Sequence, residues 1–161
     1  MATTIRKARP KDARRISALR RQTLETVNKN DYPKPALEIL KKNYSPKSIL
    51  ERMASKEMFV LTDNNRILGT VEFNPESGRV QGLYIDYRHL GKGYGGRLMH
   101  HVEDFARSQK PRKIKKIILY STKTAYPFYK KIGYKLVKQG KRTFWTGPGF
   151  KVRDIFMSKT L

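Results

Sequence analysis

Residues 80–107 read VQGLYIDYRHL (80–90), GKGYGG (91–96) and RLMHHVEDFAR (97–107). The first part reads as a buried strand, with Val80, Leu83 and Ile85 among β-favouring neighbours. The last part reads as a helix, because Leu98, Met99, Val102, Phe105 and Ala106 fall on one face. Between them stand Gly91, Gly93, Gly95 and Gly96, with Lys92 inside the cluster. Glycine gives up more conformational entropy on folding than any other residue, so this density at a strand-to-helix turn implies close approach to the backbone. The amides of such a turn converge beside the positive end of the helix, an arrangement suited to a phosphate or pyrophosphate. Taken alone, the stretch describes an anion-binding turn.

Upstream, Thr4–Ala8 reads as a short strand, and Pro10 with Asp12 signals a helix start. Ala13, Ile16, Leu19, Leu24 and Val27 keep helical spacing to about residue 28. Pro33 and Pro35 break that helix, and a second runs from Ala36 to about Tyr44. Ser45-Pro46 caps a third, reaching about Ala54. Met58–Thr62 and Ile67–Phe73 are strands joined by the turn 63–66, and with the strand at Val80 they form an antiparallel meander. Downstream follow a strand at Ile114–Ser121, a helix at Thr124–Ile132 closed by Gly133, and strands at Tyr134–Gln139 and Lys151–Met157. There is no repeat and no linker, so residues 1–161 are expected to form a single domain.

Cysteine is absent, which excludes disulfides, thiolate zinc sites and a cysteine nucleophile. No apolar run approaches a membrane span, and MATTIRKARPKD lacks a signal-peptide core, so a cytoplasmic protein without membrane attachment is expected. The chain carries 36 Lys and Arg against 13 Asp and Glu, a formal +23. Such a field attracts polyanions and repels polycations. One reading is a generally basic proteome or a solvated basic surface; the sharper one is an acidic cofactor together with an anionic or nucleic-acid-associated target.

A nucleotide-binding P-loop needs Lys and then Ser or Thr after its last glycine, whereas Gly96 is followed by Arg97. A dinucleotide fold needs repeated strand–helix–strand units from the N-terminus, which are missing here. The pattern LYIDYRHLGKGYGGRLM (83–99) instead resembles the acetyl-CoA loop of the GNAT superfamily of N-acetyltransferases, a Q/R-x-x-G-x-G/A turn between fourth strand and third helix. STKTAYPFYKKIGY (121–134) resembles that family's second signature, through Ala125, Phe128-Tyr129 and Gly133-Tyr134. The resemblance covers nearly the whole chain and is strongest from Ile67 to Tyr134. It implies a mixed α/β (α+β) three-layer fold. The central sheet would be mostly antiparallel and strongly twisted, with about six or seven strands, about four flanking helices and a splay between strands four and five.

The resemblance also implies roles. Backbone amides of Gly91, Lys92, Gly93, Tyr94, Gly95 and Gly96 would hold the CoA pyrophosphate, and the main chain at Tyr84 and Ile85 would pair with the pantetheine arm. Thr122 stands where many members have Asn. Leu90 stands where the family has Gln or Arg when Gly93 and Gly95 are aligned; the alternative frame, Arg88-x-x-Gly91-x-Gly93, fits the helix start less well. Lys92 and Arg97 would restore nearby charge. Tyr129 falls on the tyrosine that protonates the departing CoA thiolate, a role suited to a phenol within hydrogen-bond reach of sulfur. Its alternative is the aromatic core partner of Phe128.

Glu72, on the strand beside the fourth, is the carboxylate best placed to act as general base, or else an exposed strand carboxylate; a water chain draining the amine proton needs no base residue. Asp86 is expected to brace the turn, and His100 and His101 to lie at the surface. No cluster has metal-ligand spacing. The resemblance puts the amine acceptor between residues 23–44 and 143–150, with Tyr32, Tyr44, Phe144, Trp145 and Phe150 as candidate lining. Charge repulsion disfavours polyamines and aminoglycosides, and favours a protein amine in an acidic or nucleic-acid-bound setting. The other class of function is a basic nucleic-acid- or ribosome-associated module on the same fold. It would use the clusters 107–116 and 130–142, which lack the interleaved aromatics of a single-strand binder. A monomer and a homodimer are both compatible with the sequence.

Overall fold

The computed structural model describes residues 2–143 and 151–161, with side chains described outside 140–143 and 151–154. Its order is β1 (Thr3–Lys7), α1 (Ala13–Thr26), α2 (Lys34–Asn43), α3 (Pro46–Ser55), β2 (Glu57–Asp63), β3 (Arg66–Asn74), β4 (Arg79–Ile85), α4 (Tyr94–Arg107), β5 (Lys116–Ser121), α5 (Tyr126–Lys131), β6 (Lys135–Thr143) and β7 (Lys151–Thr160). Seven strands form one sheet in the order β1-β2-β3-β4-β5-β7-β6. Every neighbouring pair is antiparallel except β4 and β5, which run parallel. The mixed fold matches the expectation, with five α-helices among the described residues rather than about four.

Period-two alternation in β2 splits the core. Phe59 and Leu61 join the layer under α4 and α5, while Met58 and Val60 join the layer under α1, α2 and α3. Leu98, Met99, Val102 and Ala106 of α4 are fully buried against the first layer, as their spacing predicts. Each large apolar side chain so buried contributes roughly 1.5–3 kcal/mol. Glu103, on the same helix, accepts from Tyr134 Oη at 3.1 Å and from Lys159 Nζ at 3.0 Å, tying α4 to β7.

Several boundaries shift for local reasons. Asp12 caps a short 3-10 turn, Pro10–Asp12, by accepting from Arg9 N at 2.8 Å, and α1 starts one residue later. Ile114 donates to Ala106 O at the end of α4 rather than entering the ladder, so β5 begins at Lys116. Strand β7 continues past Met157 to Thr160, because its pairing with β5 runs to Lys116↔Thr160. Ser45 caps α3 as its sequence predicts, accepting from Ser48 N at 3.2 Å.

Candidate active site

The site begins where β4 and β5 separate. Their only registered pair is Arg79↔Ile118, supported by Ile118 N donating to Gly78 O at 3.0 Å. Beyond it, β4 remains laddered to β3 on one side, through Thr70↔Tyr84 and Gly69↔Ile85, and has no registered partner in β5 on the other. A separated parallel pair leaves backbone donors and acceptors facing a gap, where an extended amide-bearing ligand can complete them.

A bulge shapes β4 at this point. Two residues, Gly82 and Leu83, lie opposite Val71 alone, between the pairs Glu72↔Gln81 and Thr70↔Tyr84. Gly82 has φ +63°, and a Cβ there would come within 2.9 Å of Arg20 Nη1. Thr70 Oγ1 donates to Gly82 O at 3.1 Å and accepts from Arg20 Nε at 3.0 Å. Arg20, fully buried on α1, therefore supports the bulge from below. Neither Arg20 nor Thr70 was apparent from sequence. The one hint was Gly82 in the middle of a strand.

At the end of β4, the Asp86 carboxylate accepts from Arg88 N and Nε, both at 3.0 Å, and from Arg88 Nη2 at 2.8 Å. These hydrogen bonds lower the Asp86 pKa and fix Arg88 against the turn, the bracing role expected of Asp86. Gly91 and Gly93 have φ +74° and +77°, and Gly93 is the N-cap of α4, which starts at Tyr94. This is the frame in which Leu90 precedes the glycines; Leu90 is 49% exposed. Added Cβ atoms at Gly91, Gly93 or Gly96 would meet nothing within 4 Å, so the turn is open on that side. Gly95 serves packing instead, since its Cβ would lie 3.1 Å from the Phe128 ring. Lys92 is exposed at the turn. Arg97, in the first turn of α4, donates to the Thr3 carbonyl at 3.1 Å and to the Thr3 hydroxyl, both neutral groups.

Across the gap, Thr122 follows directly on β5. Its Oγ1 accepts from Ala125 N at 3.1 Å and its carbonyl accepts from Tyr126 N at 3.1 Å, which starts α5. Tyr129 is buried in the main core layer, edge-on to Phe128 and Tyr134 with ring centroids 5.1 and 5.8 Å away. Burial raises its pKa above the ordinary phenol value, so it stays protonated throughout the physiological range. Asp31 reaches over from the α1–α2 connection and accepts from Thr124 N at 3.1 Å and Thr124 Oγ1 at 2.8 Å. Asp31 was missed from sequence, where NKNDYPKP reads only as a polar break.

Glu72 lies on β3, fully buried. It is ion-paired to Arg20 and accepts from Arg52 Nη1 at 3.1 Å and Gln81 Nε2 at 2.9 Å. Burial alone would raise its pKa, but the Arg20 and Arg52 charges with the Arg20 and Gln81 hydrogen bonds outweigh it and lower the value to about 2. It is thus not the exposed strand carboxylate the sequence allowed. Above it, Tyr84 and Tyr44 meet edge-on at 5.5 Å with hydroxyls 3.3 Å apart. Arg20 lies 5.2 Å and Arg52 5.0 Å from the centroid of the Tyr44 ring. Tyr32 packs at the edge of the same cluster. Phe144, Trp145 and Phe150 lie outside the described residues. His100 is exposed; His101 is half-buried, edge-on to Phe59 at 4.6 Å, and burial lowers its pKa. No helix among the described residues is long and apolar enough to cross a membrane.

A family model described as an acetyltransferase (GNAT) domain matches residues 28–145. No curated protein sequence matches the chain. Among solved structures, the chain is similar to one described as a GCN5-related N-acetyltransferase, "Aminotransferase, Class-II", from Rhodopseudomonas palustris, at 18% identity and a TM-score of 0.86, covering 100% of this chain and 97% of that one. It is also similar to the PaiA N-acetyltransferase of Thermoplasma acidophilum in complex with coenzyme A, at 18% identity and a TM-score of 0.80, covering 100% of both chains. An aminoglycoside 6'-N-acetyltransferase complexed with coenzyme A aligns at 18% identity and a TM-score of 0.71, over 98% of this chain and 96% of that one. At these identities the likeness is one of fold.

Proposed function

Because the chain belongs to the GNAT acetyltransferase family, we propose that residues 1–161 act as one catalytic domain transferring the acetyl group of acetyl-CoA to a primary amine, with Tyr129 as the acid. The observation that carries this reading is the parting of β4 from β5 after Arg79↔Ile118, beside a glycine turn open to a ligand and the N-terminus of α4. The gap suits a narrow amide-bearing arm, and the turn suits a pyrophosphate.

In this reading the amides of residues 91–96 hold the pyrophosphate, and the Tyr84–Ile85 main chain pairs with the arm. Bound acetyl-CoA would supply an acyl group already activated as a thioester, with a thiol as its leaving group. The acceptor nitrogen forms the new C–N bond as the C–S bond breaks; the nitrogen loses a proton and the sulfur gains one. Tyr129 holds a proton at Oη for that sulfur. Thr122 has its hydroxyl oxygen engaged by Ala125 N and retains an O–H for the arm. Glu72 acts as an electrostatic anchor for Arg20, because a carboxylate held near pKa 2 has almost no tendency to take up a proton at neutral pH. The amine proton then leaves through water.

The acceptor is read from charge. A formal +23 disfavours free polyamines and aminoglycosides and favours a protein N-terminus or lysine in an acidic or nucleic-acid-bound context. Acetylation assays across spermidine, aminoglycosides and acidic peptides test this, with acidic peptides expected to turn over fastest. A clear preference for spermidine would sink the charge argument while leaving acetyl transfer standing.

A further inference from the structure

The two basic clusters hold a single aromatic, Tyr134, which is buried in the core, but the sheet supplies further rings from elsewhere. Tyr120 of β5, Phe156 of β7 and Lys138 of β6 occupy one row across three strands, through the pairs Tyr120↔Phe156 and Lys138↔Phe156. Directly paired residues project from the same face, so these three side chains share it. The opposite face carries Ile117, Leu119, Ile155 and Met157, all buried in the core. Tyr120 and Phe156 are in ring contact, with centroids 5.1 Å apart and planes at 32°, and Tyr120 is 38% exposed. Arg79 Cζ lies 4.9 Å from the Tyr120 centroid.

Cations extend the same face along the strands. Lys135 pairs with Ser158 and Lys116 with Thr160, so both project from the aromatic face, in rows roughly 7 Å apart. Lys116, Lys135 and Lys138 are all exposed. The clusters 107–116 and 130–138, far apart in the chain, thus flank one strand, and neither contains an acidic residue.

We propose that this half-sheet face, centred on Tyr120 and Phe156 and flanked by Arg79, Lys116, Lys135 and Lys138, binds single-stranded nucleic acid. The occupant follows from combining two features. Lysines alone would suit any polyanion, including a duplex or an acidic peptide. Two aromatic rings on a basic sheet face favour unpaired bases, whose faces can stack on them while phosphates meet the cations. A duplex keeps its bases stacked internally, and an acidic peptide has no planar group for the rings. The inference is independent of acetyl transfer, since it uses no residue of the cofactor site.

Fluorescence anisotropy with labelled oligo(U) and oligo(dT) of about 12 nucleotides, at about 50 and 200 mM salt, tests it on the full chain. Either oligomer is expected to bind more tightly than a duplex of equal length. Tyr120→Ala should raise Kd by roughly 5- to 100-fold, while Tyr120→Phe, which keeps the ring, stays within about twofold. The Lys116→Glu/Lys138→Glu variant changes only exposed positions and provides a folded comparison if Tyr120→Ala does not fold; it should weaken binding and flatten the salt dependence. Absence of binding at the lower salt overturns the proposal. So does equal affinity for duplex, an unchanged Kd in folded Tyr120→Ala, unchanged binding by the lysine variant, or displacement by polyglutamate as effective as by unlabelled oligomer.

Discussion

At the residue scale, two side chains separate chemistry from architecture. Tyr129 is buried among Phe128 and Tyr134, and burial keeps its proton in place at neutral pH. Tyr129→Phe removes one oxygen and keeps the ring, so acetyl-CoA should bind as before while kcat falls about 100-fold or more. Steady-state kinetics beside a binding isotherm check this, and an unchanged kcat would remove Tyr129 from the acid role. Glu72 is the opposite case. Glu72→Gln leaves Arg20 buried without its countercharge and should cost about 3 kcal/mol in urea unfolding, with little change in turnover per folded molecule. Its folded pKa of about 2 lies below the ordinary carboxylate value. The stability it confers is therefore fully present above about pH 5 and is lost as pH falls toward 2. Wild type should destabilise over that window by about 3 kcal/mol more than Glu72→Gln; parallel pH curves for the two proteins would contradict the assignment.

At the scale of elements, the sequence disclosed those parts whose signals are local. The α4 face, the Ser45 cap and the glycine turn were legible because apolar spacing, a capping hydroxyl and positive-φ glycines act over a few residues. The splay was expected through family resemblance rather than from Arg79–Ile85 itself, since strand separation depends on β5, more than thirty residues downstream. The Arg20–Thr70–Gly82 support was illegible for the same reason: its members lie on α1, β3 and β4. Glu72 shows the related failure, because a strand carboxylate looks exposed until two helices bring Arg20 and Arg52 to it. Gly82→Ala tests that support. The new Cβ would need a left-handed backbone and would press on the Arg20 guanidinium, so stability should fall by about 2 kcal/mol. Acetyl-CoA affinity should fall with it, because the bulge sets the β4 backbone facing the gap. Unchanged affinity in a destabilised variant would separate the bulge from the cofactor site.

For the whole molecule, one sheet carries two different openings. Where β4 leaves β5, a gap beside the glycine turn offers backbone groups to a ligand; across β5, β7 and β6, a basic aromatic face offers rings and cations. Part of the basic charge lies on that face, where Lys116 of β5 and Lys135 and Lys138 of β6 stand on either side of β7. The acetyltransferase reading rests on the gap and turn together, with Leu90 exposed and the cradle working through its amides. Isothermal titration of acetyl-CoA into the wild-type chain and into Gly93→Val tests that directly. Gly93 has φ +77°, so valine strains the turn that presents the amides, and its Cβ stands in the open space beside them. Wild type should bind with micromolar affinity, and the variant at least about tenfold more weakly. No binding heat from wild type at several temperatures, or equal affinity in the folded variant, would contradict it.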